Sequence, residues 1–409
     1  MSNILELIEQ LCPNGVVWKP LGEAGEFLRG SGIQKTELLP VGLPAIHYGQ
    51  LHTTFHHVAD KSISFIDPTS WAKSRKAHPG DVLLATTSED SDDVCKAVAW
   101  MGEGEVAISS DATFYRHTLD PLFVMFFFTT EHFNLTKRTL ITGTKVKRIS
   151  PEKLAQVKIP IPPREVQEAI SGILMNFVEL EAELEAELEA RKVQFDYYRD
   201  KVIDFDDSTL KWAPLGELAT IVRGASPRPI QSFITESEEG ISWVKIGDTK
   251  PGDKFITSTE QRITKEGERN SRRIKPGDFV LSNSMSYGRP YISKIDGCIH
   301  DGWLAISDFE QVLNSDYLYH VLQSHKIQME FAQRASSGTV SNLNADIVKS
   351  VEIPVPTLAE QARISNILND LEKLINDHRE GLPAEISARQ KQLTFYRERL
   401  MLLPEMVVA

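Results

Sequence analysis

Trp18-Lys-Pro-Leu-Gly-Glu23 returns as Trp212-Ala-Pro-Leu-Gly-Glu217, 194 positions further along the chain. At the same distance, Ile159-Pro-Ile-Pro162 returns as Ile353-Pro-Val-Pro356. The first motif opens each copy of the repeat and the second motif closes it. Solenoid repeats have periods of roughly 20–50 residues, so a period this long indicates a duplicated domain instead.

Six further matches fall between or after these motifs, in the same order in both copies. They are Arg29-Gly30 with Arg223-Gly224, Ile46–Gly49 with Val244–Gly247, Pro79-Gly-Asp81 with Pro276-Gly-Asp278, Gly143-Thr144 with Gly338-Thr339, Gln167 and Ile170-Ser171 with Gln361 and Ile364-Ser365, and Tyr198-Arg199 with Tyr396-Arg397. The order of the matches predicts one globular unit followed by one long helix, occurring twice.

Composition limits the classes of protein to which the chain can belong. The 409 residues carry a net charge of -12, so any DNA-binding face must be a local basic patch on an acidic chain. Cys12, Cys95 and Cys298 form no CxxC pair, which argues against a zinc site or a disulfide framework. Three unpaired cysteines favour a reducing, cytoplasmic location.

Targeting and membrane segments are not expected. The first residues, Met1–Leu11, carry two glutamates and lack the basic region of a signal peptide. The longest apolar run, Leu122–Phe128, is far shorter than the ~20 residues of a membrane helix.

Each globule is predicted to be mixed α/β (α+β) with much strand. Strand-like runs alternate with Gly, Pro, Asp and Asn, and helical stretches come late. The strand-like runs are Asp81–Ala85, Glu105–Ile108, Phe279–Leu281 and Ile299–Ile306, and the helical stretches are Pro121–His132 and Asp316–Arg334. The predicted division is 1–163 for the N-terminal helix and first globule, 164–207 for a central helix, 208–357 for the second globule and 358–409 for a C-terminal helix.

The Ile-Pro-x-Pro segments predict stiff, extended struts that lead directly into helices, because proline fixes its own φ and keeps the preceding residue out of the helical region. Pro163 suits the first turn of the helix in copy one. In copy two, Thr357 can cap the helix, with Glu360 completing a capping box.

Both helices carry an apolar stripe with heptad spacing, which indicates a coiled coil. The stripes are Ile170, Ile173, Phe177, Leu180, Leu184, Leu188, Phe195, Tyr198 and Val202, and Ile364, Ile367, Leu371, Leu374, Leu382, Ile386, Leu393, Tyr396 and Leu400. Copy two contains one additional four-residue step, at which Gly381 and Pro383 predict a break.

The natural partner of each stripe is the other helix, paired antiparallel. This arrangement predicts an internal pseudo-two-fold symmetry with one globule at each end. The short helix predicted over Asn3–Leu11 would then lie near the far end of the last helix.

Sequence signatures of catalysis are absent. The chain has no GxxxxGK loop, no Asn/Asp-Pro-Pro-Tyr/Phe methyltransferase motif and no clear carboxylate–lysine nuclease set. His52, His56 and His57 lack an acid or cysteine that would complete a metal site and are interpreted as solvated loop histidines. The chain is therefore predicted to be non-catalytic and to bind neither metal nor cofactor.

One family combines these features, and the chain resembles it over nearly its whole length. The motifs are Cys12–Val16 with Trp18–Glu23, the Arg-Gly loop, Gly-Thr before the strut, Ile-Pro-x-Pro, Glu360-Gln361 and the Tyr-Arg helix end. They resemble the specificity subunit of type I restriction–modification enzymes. Copy one departs from this pattern, with Val166-Gln167 where copy two has Glu360-Gln361, which weakens any role for that glutamate.

The resemblance implies that this chain recognises DNA and that partner subunits carry out the chemistry. Each globule would be a target recognition domain that reads one half of a split, asymmetric sequence in double-stranded DNA. The paired helices would set the length of the unread spacer and dock two methyltransferase subunits. Those subunits would bind S-adenosylmethionine and methylate adenine at N6, and motor-nuclease subunits with ATP and Mg would cut unmodified DNA.

Candidate DNA contacts are basic and amide residues predicted on loops, together with hydroxyl side chains. In copy one they are Lys35, His47, Gln50, Lys73, Arg75, Lys76, Thr86, Thr87, Thr144, Lys145, Lys147 and Arg148. In copy two they are Arg223, Arg228, Lys245, Arg272, Arg273, Asn283, Ser284, Tyr287, Arg289, Thr339, Asn342 and Asn344.

Two other functions stay open at this point. A self-contained enzyme acting on DNA or nucleotides is disfavoured by the missing catalytic motifs. A scaffold that spaces two globules for protein or glycan partners is compatible with the acidic charge, and it predicts no salt-sensitive affinity for DNA.

Overall fold

The computed structural model describes residues 2–203, 210–250, 252–283, 288–335, 343–377 and 379–406. The chain divides into two compact units, residues 1–183 with 387–409 and residues 184–386. Each unit therefore consists of one globule with parts of the long helices. Three helices supply those parts: α8 (Arg164–Ile203), α14 (Leu358–Asn376) and α15 (Leu382–Met401).

The remaining elements of the first unit follow in chain order. They are α1 (Ser2–Leu11), β1 (Val17–Pro20), α2 (Leu21–Ala24), β2 (Gly25–Arg29), β3 (Leu43–Ile46), α3 (Tyr48–Thr53), β4 (Val58–Ala59), β5 (Ser64–Ile66), α4 (Pro68–Lys73), β6 (Lys76–Ala77), β7 (Val82–Ala85), β8 (Thr87–Ser88), β9 (Lys96–Trp100), β10 (Val106–Ile108), β11 (Ala112–His117), α5 (Pro121–Phe127), α6 (Glu131–Leu140), β12 (Lys147–Arg148), α7 (Pro151–Leu154) and β13 (Lys158–Ile161).

The second unit repeats most of this order. Its elements are β14 (Trp212–Pro214), α9 (Leu215–Leu218), β15 (Thr220–Arg223), β16 (Ile234–Thr235), β17 (Ile241–Val244), β18 (Phe255–Ile256), β19 (Gln261–Ile263), α10 (Lys265–Glu268), β20 (Arg272–Ile274), β21 (Phe279–Ser282), β22 (Pro290–Ser293), β23 (Gly297–Ile299), β24 (Trp303–Ser307), α11 (Ser315–Gln323), α12 (His325–Ala335), α13 (Ala345–Ser350) and β25 (Glu352–Pro354). Short 3-10 turns span Lys35–Glu37, Ile230–Ser232 and Ile246–Asp248.

The two globules share one sheet topology, which confirms the duplication. One five-stranded sheet has the order β2-β11-β7-β9-β4 in the first unit and β15-β24-β21-β22-β18 in the second. The other sheet has the order β5-β3-β10-β6 in the first unit and β16-β19-β17-β23-β20 in the second, where β16 is an added edge strand. Both globules are mixed α/β, as the sequence predicts.

The opening and closing motifs of each copy are partners in one antiparallel ladder. Trp18 lies opposite Pro160 in the pair β1–β13, and Trp212 lies opposite Pro354 in the pair β14–β25. The predicted strut is extended as expected, but it is a paired strand and not a free segment. The prolines, which lack an N–H, are tolerated here because every strand of a two-stranded sheet is an edge strand.

A buried glutamine fixes each globule to the start of its helix. Gln167 Oε1 accepts a hydrogen bond from the Asp120 N–H at 2.8 Å, and its Nε2 donates to the Pro162 carbonyl at 2.8 Å. Gln361 accepts from the Asn314 N–H at 2.7 Å and donates to the carbonyl of the last strut proline at 2.9 Å. Since both glutamines are at most 3% exposed, these bonds set the angle between strut and helix without competition from water.

The helix boundaries agree with the residues predicted to start and end the helices. Helix α8 begins directly after Pro163, and the hydroxyl of Thr357 accepts a hydrogen bond from the Glu360 N–H at the start of α14. The predicted capping box is half formed, because the Glu360 carboxylate pairs with Arg363 at 2.7 Å. The chain leaves the helix between Asn376 and Leu382, where Gly381 and Pro383 predicted a break.

Antiparallel pairing of the helices is seen within the first unit. The rings of Phe177 and Tyr396 stack at 5.3 Å, and Gln390 donates to Glu181 at 2.7 Å. Along α8 the residue numbers rise while the numbers of their partners on α15 fall. In the second unit, Phe195 of α8 lies in one core with Leu368 of α14.

The N-terminal helix packs where the sequence predicted. Ile4 shares a core with Leu400 and Met401 at the end of α15. The Val16 N–H donates to the Pro404 carbonyl at 2.8 Å, and the Met406 N–H donates to the Val16 carbonyl at 2.9 Å. The two ends of the chain therefore meet in the first unit.

Three predicted elements are interrupted. The run Ile299–Ile306 is divided between β23 and β24 by a turn, and the helical stretches divide at Phe128–Thr130 and at Ser324. Thr130 caps α6, and Ser324 separates α11 from α12; single polar residues of this kind are weak signals inside a helical pattern. Among the described residues, no helix is long and apolar enough to span a bilayer.

Candidate nucleic-acid interface

The repeated Arg-Gly pair lies where the two sheets of each globule meet. Arg29 ends β2, and its Nε donates to the Ser110 carbonyl at 2.9 Å. Arg223 ends β15, and its Nε donates to the Asp301 carbonyl at 3.1 Å. The glycine that follows each arginine is required by close backbone approach, because a Cβ at Gly30 would lie 2.1 Å from a carbonyl oxygen.

A second arginine reaches the first in both copies. Arg75 Nη1 donates to the Arg29 carbonyl at 3.1 Å, and Arg272 Nε donates to the Arg223 carbonyl at 3.4 Å. All four side chains are exposed. We call Arg29 with Arg75, and Arg223 with Arg272, the arginine pairs.

His47 and Gln50 of copy one are partly committed to the fold. His47 Nδ1 accepts from the Gly49 N–H at 3.2 Å, and Gln50 Oε1 accepts from the His47 N–H at 2.8 Å. Burial lowers the pKa of His47, as does the charge of the exposed Lys35, while Asp111 opposes the shift. His47 is therefore neutral at pH 7, and because its Nδ1 accepts, its proton is on Nε2, which can donate a hydrogen bond.

A two-stranded ribbon brings two of the predicted basic and hydroxyl segments together. Thr87 of β8 pairs with Arg148 of β12. The turn that leads into β12 exposes Thr144 and Lys145, with Lys147 half-buried. The ribbon thus presents a cationic strip beside a hydroxyl, as the sequence grouping suggested.

Three copy-one candidates differ in their exposure and in the contacts that they make within the protein. Thr86 is buried, and its hydroxyl donates to the Asp111 carbonyl at 3.4 Å. Lys76 lies 5.2 Å from the centre of the Trp71 ring and donates to a carbonyl. Lys73 is exposed at the end of α4. Of the three, Lys73 is the most available to a ligand.

Copy two carries an open cleft of about 1030 Å³ beside its arginine pair. Arg228, Lys245, Trp243, His300 and Asp301 line it. A hydrogen bond from the neighbouring serine hydroxyl lowers the pKa of Asp301, and burial lowers the pKa of His300. The cleft offers an apolar wall, two cations and a neutral imidazole, which are groups suited to base edges and phosphates.

Other copy-two candidates are held by the protein itself. Arg273 pairs with Asp296 at 2.9 Å and also with Glu268. Asn283 is buried and donates to the Asp301 carbonyl at 2.8 Å, and Asn344 caps α13.

The remaining copy-two candidates are Arg289 and four residues outside the described ranges. Arg289 is half-buried, and its N–H donates to the Ser282 hydroxyl at 3.2 Å. The predicted contacts Ser284, Tyr287, Thr339 and Asn342 lie outside the described residues.

Arg29 and His300 are not among the contacts predicted from the sequence. Arg29 has a sequence signal, because Arg29-Gly30 repeats as Arg223-Gly224 and Arg223 is a predicted contact. His300 has no local signal, since Ile299–Ile306 has the pattern of one continuous strand.

The histidine cluster of copy one is only partly solvated. His56 is exposed, but His57 packs against Phe126, and burial lowers the pKa of His57 to about 4. His52 Nε2 lies 3.3 Å from the Thr87 carbonyl. Across the described ranges no group of three His, Cys, Asp or Glu side chains is arranged to hold a metal ion.

The protein thus has two related globular domains of one topology. Each domain has an exposed cationic edge and is joined to long helices. A family model, the type I restriction modification DNA specificity domain, matches residues 113–190 and 209–388. The match covers more than half of the chain, and the chain belongs to this family.

Relatives with similar sequences carry the same description. The chain is 33% identical over 264 residues to the EcoR124I/EcoR124II type I restriction enzyme specificity subunit of Escherichia coli, which covers 61% of this chain and 64% of that protein. It is 33% identical over 281 residues to a putative type I restriction enzyme specificity subunit of Haemophilus influenzae, covering 66% and 69%. The match thus spans slightly less than two thirds of the Escherichia coli protein.

Solved structures confirm the fold class. A chain from a structure of a type I R-M system has a TM-score of 0.72 at 16% identity, covering 95% of this chain and 98% of that one. The HsdS subunit from Thermoanaerobacter tengcongensis has a TM-score of 0.55 at 17% identity, covering 96% and 98%.

Proposed function

We propose that this chain is the DNA-specificity subunit of a type I restriction–modification enzyme, and that each globule reads one half of a bipartite, asymmetric target. One observation carries the proposal beyond family membership. Corresponding positions at the same edge hold unlike side chains, with His47 after β3 and Lys245 after β17. One scaffold with two chemistries suits two different half-sites.

The helices are the proposed spacer. Helix α8 has 40 residues, which is about 60 Å at ~1.5 Å per residue. Half-sites one helical turn apart, ~34–36 Å, present themselves on one face of B-DNA. An unbroken helix with a paired apolar stripe is stiff enough to hold two readers at a fixed distance.

Partner subunits supply the chemistry in this proposal. The helices dock two methyltransferase subunits, which bind S-adenosylmethionine and methylate adenine at N6, and motor-nuclease subunits add ATP- and Mg-dependent cleavage. The chain itself is non-catalytic and works in the cytoplasm, where its free cysteines stay reduced.

Mapping methylated adenines in cells that carry the whole system tests this function. We expect methylation at one bipartite motif with two unlike halves and a fixed spacer. Methyl transfer from labelled S-adenosylmethionine by the purified chain alone would show instead that the chain is an enzyme.

A single substitution sharpens the test. Arg289 ends the sequence segment 282–289, which stands where copy one has the different side chains of residues 85–90. Arg289→Ala should change the bases required in one half-site only. Arg262→Gln is the control, because Arg262 lies on β19 and donates to the Glu238 carbonyl. Relaxed preference in both half-sites, or in neither, contradicts the assignment of one globule to one half-site.

A further inference from the structure

The arginine pairs repeat in geometry although their surroundings differ. In each copy, the first arginine is anchored to the carbonyl of the loop before β11 or β24, and the second is anchored to the carbonyl of the first. Each anchor uses one N–H of a guanidinium that has five. The remaining donors of Arg29, Arg75, Arg223 and Arg272 belong to exposed side chains.

Carboxylates do not neutralise these arginines. Within the described ranges, no ion pair within 4.0 Å is formed by any of the four, whereas other arginines of the globules pair with acids. Examples are Arg116 with Asp81, Arg138 with Asp92, and Arg273 with Asp296. On a chain of net charge -12, exposed arginines without an ion pair at the same place in both copies are available to an external anion.

The neighbouring groups differ in charge between the two copies. Copy one has Ser110 beside Arg29, and copy two has Asp301 beside Arg223. The Asp301 carboxylate accepts from the Ser226 hydroxyl at 2.7 Å and lies 3.6 Å from Arg228, and the charge of Arg223 also lowers its pKa. The copy-one pair therefore presents two positive charges, and the copy-two pair presents two positive charges that share one nearby carboxylate with Arg228.

We propose that the two arginine pairs are phosphate clamps that seat each globule on the DNA backbone and read no bases. The inference rests on the proposed DNA-binding function. Guanidinium groups suit phosphate oxygens, and contacts to the backbone fix register without carrying sequence information. A similar arrangement in both copies suits the part of duplex DNA that is the same in both half-sites, whereas the residues around the pairs differ.

The test measures binding of the full chain, assembled with its methyltransferase subunits, to two duplexes at several salt concentrations. One duplex carries the mapped methylation target and the other a scrambled sequence. The variants are Arg29→Gln with Arg75→Gln, and Arg223→Gln with Arg272→Gln, since glutamine keeps an N–H for the carbonyl and removes the charge. The control pair is Arg138→Gln with Arg262→Gln, and thermal melting checks folding.

Each lost phosphate contact should lower the slope of log K against log salt by about 0.9, and each double variant therefore by up to about 2. The loss should be equal for both duplexes and similar for the two copies, with the control unchanged. Arg→Lys at the same positions should restore the slope, because the charge returns. A wild-type slope near zero would refute the proposed function itself.

Two outcomes would overturn the clamp alone. The first is a salt-sensitive wild-type complex whose slope of log K against log salt is kept by the glutamine variants. The arginines would then only stabilise loops. If the variants change which bases are required, the arginines read sequence.

Discussion

At the scale of single residues, hydrogen bonds between buried polar groups hold the globules to the helices. His320 of α11 is fully buried, and its Nε2 lies 2.9 Å from Asn369 Oδ1 on α14. Asn369 Nδ2 donates to Asp316 at 3.1 Å, so the amide oxygen accepts and His320 Nε2 donates. Burial above all, with Lys254 and Arg199, lowers the pKa of His320 to about 4, although the bond to Asn369 and the charge of Asp316 oppose the shift.

This histidine makes the second unit acid-sensitive. Above pH ~6.5 both folded and unfolded states leave His320 neutral, whereas between about 6.5 and 4 only the unfolded state binds the proton. The free energy of opening at α11 should therefore fall by about 2 kcal/mol from pH 7 to pH 5. Hydrogen exchange of the α11 amides, corrected for intrinsic rate, measures it.

The matched variant is His320→Gln, which keeps an N–H for Asn369 and cannot take up a proton. Its α11 amides should show much less loss of protection at pH 5. Equal losses in the wild type and the variant would mean that another group causes the acid sensitivity.

At the scale of elements, the helices differ in continuity. Helix α8 runs unbroken through 40 residues, while the C-terminal stretch is divided into α14 and α15. In the turn between them, the Gly381 N–H donates to the Asp377 carbonyl at 2.9 Å. A Cβ at Gly381 would lie 2.6 Å from the Leu374 carbonyl oxygen, so glycine is needed for this close approach. The additional four-residue step is therefore absorbed as a turn and not as extra helix.

Lengthening α8 should change the spacer that the complex accepts. Four residues inserted after Leu188 add about 6 Å and keep the apolar stripe nearly in phase. We expect methylation at targets with a longer unread spacer and unchanged half-sites, measured by methylome sequencing. The control is the same insertion between Glu238 and Glu239 in an exposed loop. Unchanged spacer length after the insertion in α8 would contradict the proposal that the helices set the spacer length.

At the scale of the whole molecule, each unit is assembled from distant parts of the chain. The first unit needs residues 387–409 to complete its core, and the indole of Trp18 donates to the Leu403 carbonyl at 3.0 Å. The repeated tryptophan thus anchors the C-terminal segment in copy one, while the ring of Trp212 lies under Lys326 at 4.0 Å. The same sequence motif therefore contacts different partners in the two copies.

Removing residues 403–409 should destabilise the first unit. The truncation exposes a core that contains Leu403 and breaks three hydrogen bonds, to the Trp18 indole, the Val16 N–H and the Val16 carbonyl. Burial of one leucine and these bonds together suggest a loss of about 3 kcal/mol. Hydrogen exchange of β1 and β13 measures it. Trp18→Phe, which removes only the indole donor, should lose about 1 kcal/mol. Unchanged protection in both variants would show that the contact stabilises nothing.

Much of the fold was predictable because its signals are local. The proline struts, the start of α8, the Thr357 cap and the break near Gly381 each depend on the conformational preference of one or two residues. The interrupted helices were not predictable, since Thr130 and Ser324 stand inside stretches whose pattern is otherwise continuous. Part of the candidate site was predictable by residue type, but Thr86, Asn283 and Asn344 have structural roles that their polarity alone did not reveal.

The sequence by itself determined the duplication, the mixed α/β class, the heptad stripes and the missing catalytic motifs, because these depend on order, spacing and composition. Only the tertiary structure decided which side chains meet. Arg29 and Arg75 are 46 residues apart, and they join because β2 and β6 belong to different sheets that pack together. A contact of this kind depends on sheet order and on the close backbone approach at Gly30. The preferences of neighbouring residues in the sequence determine neither of them.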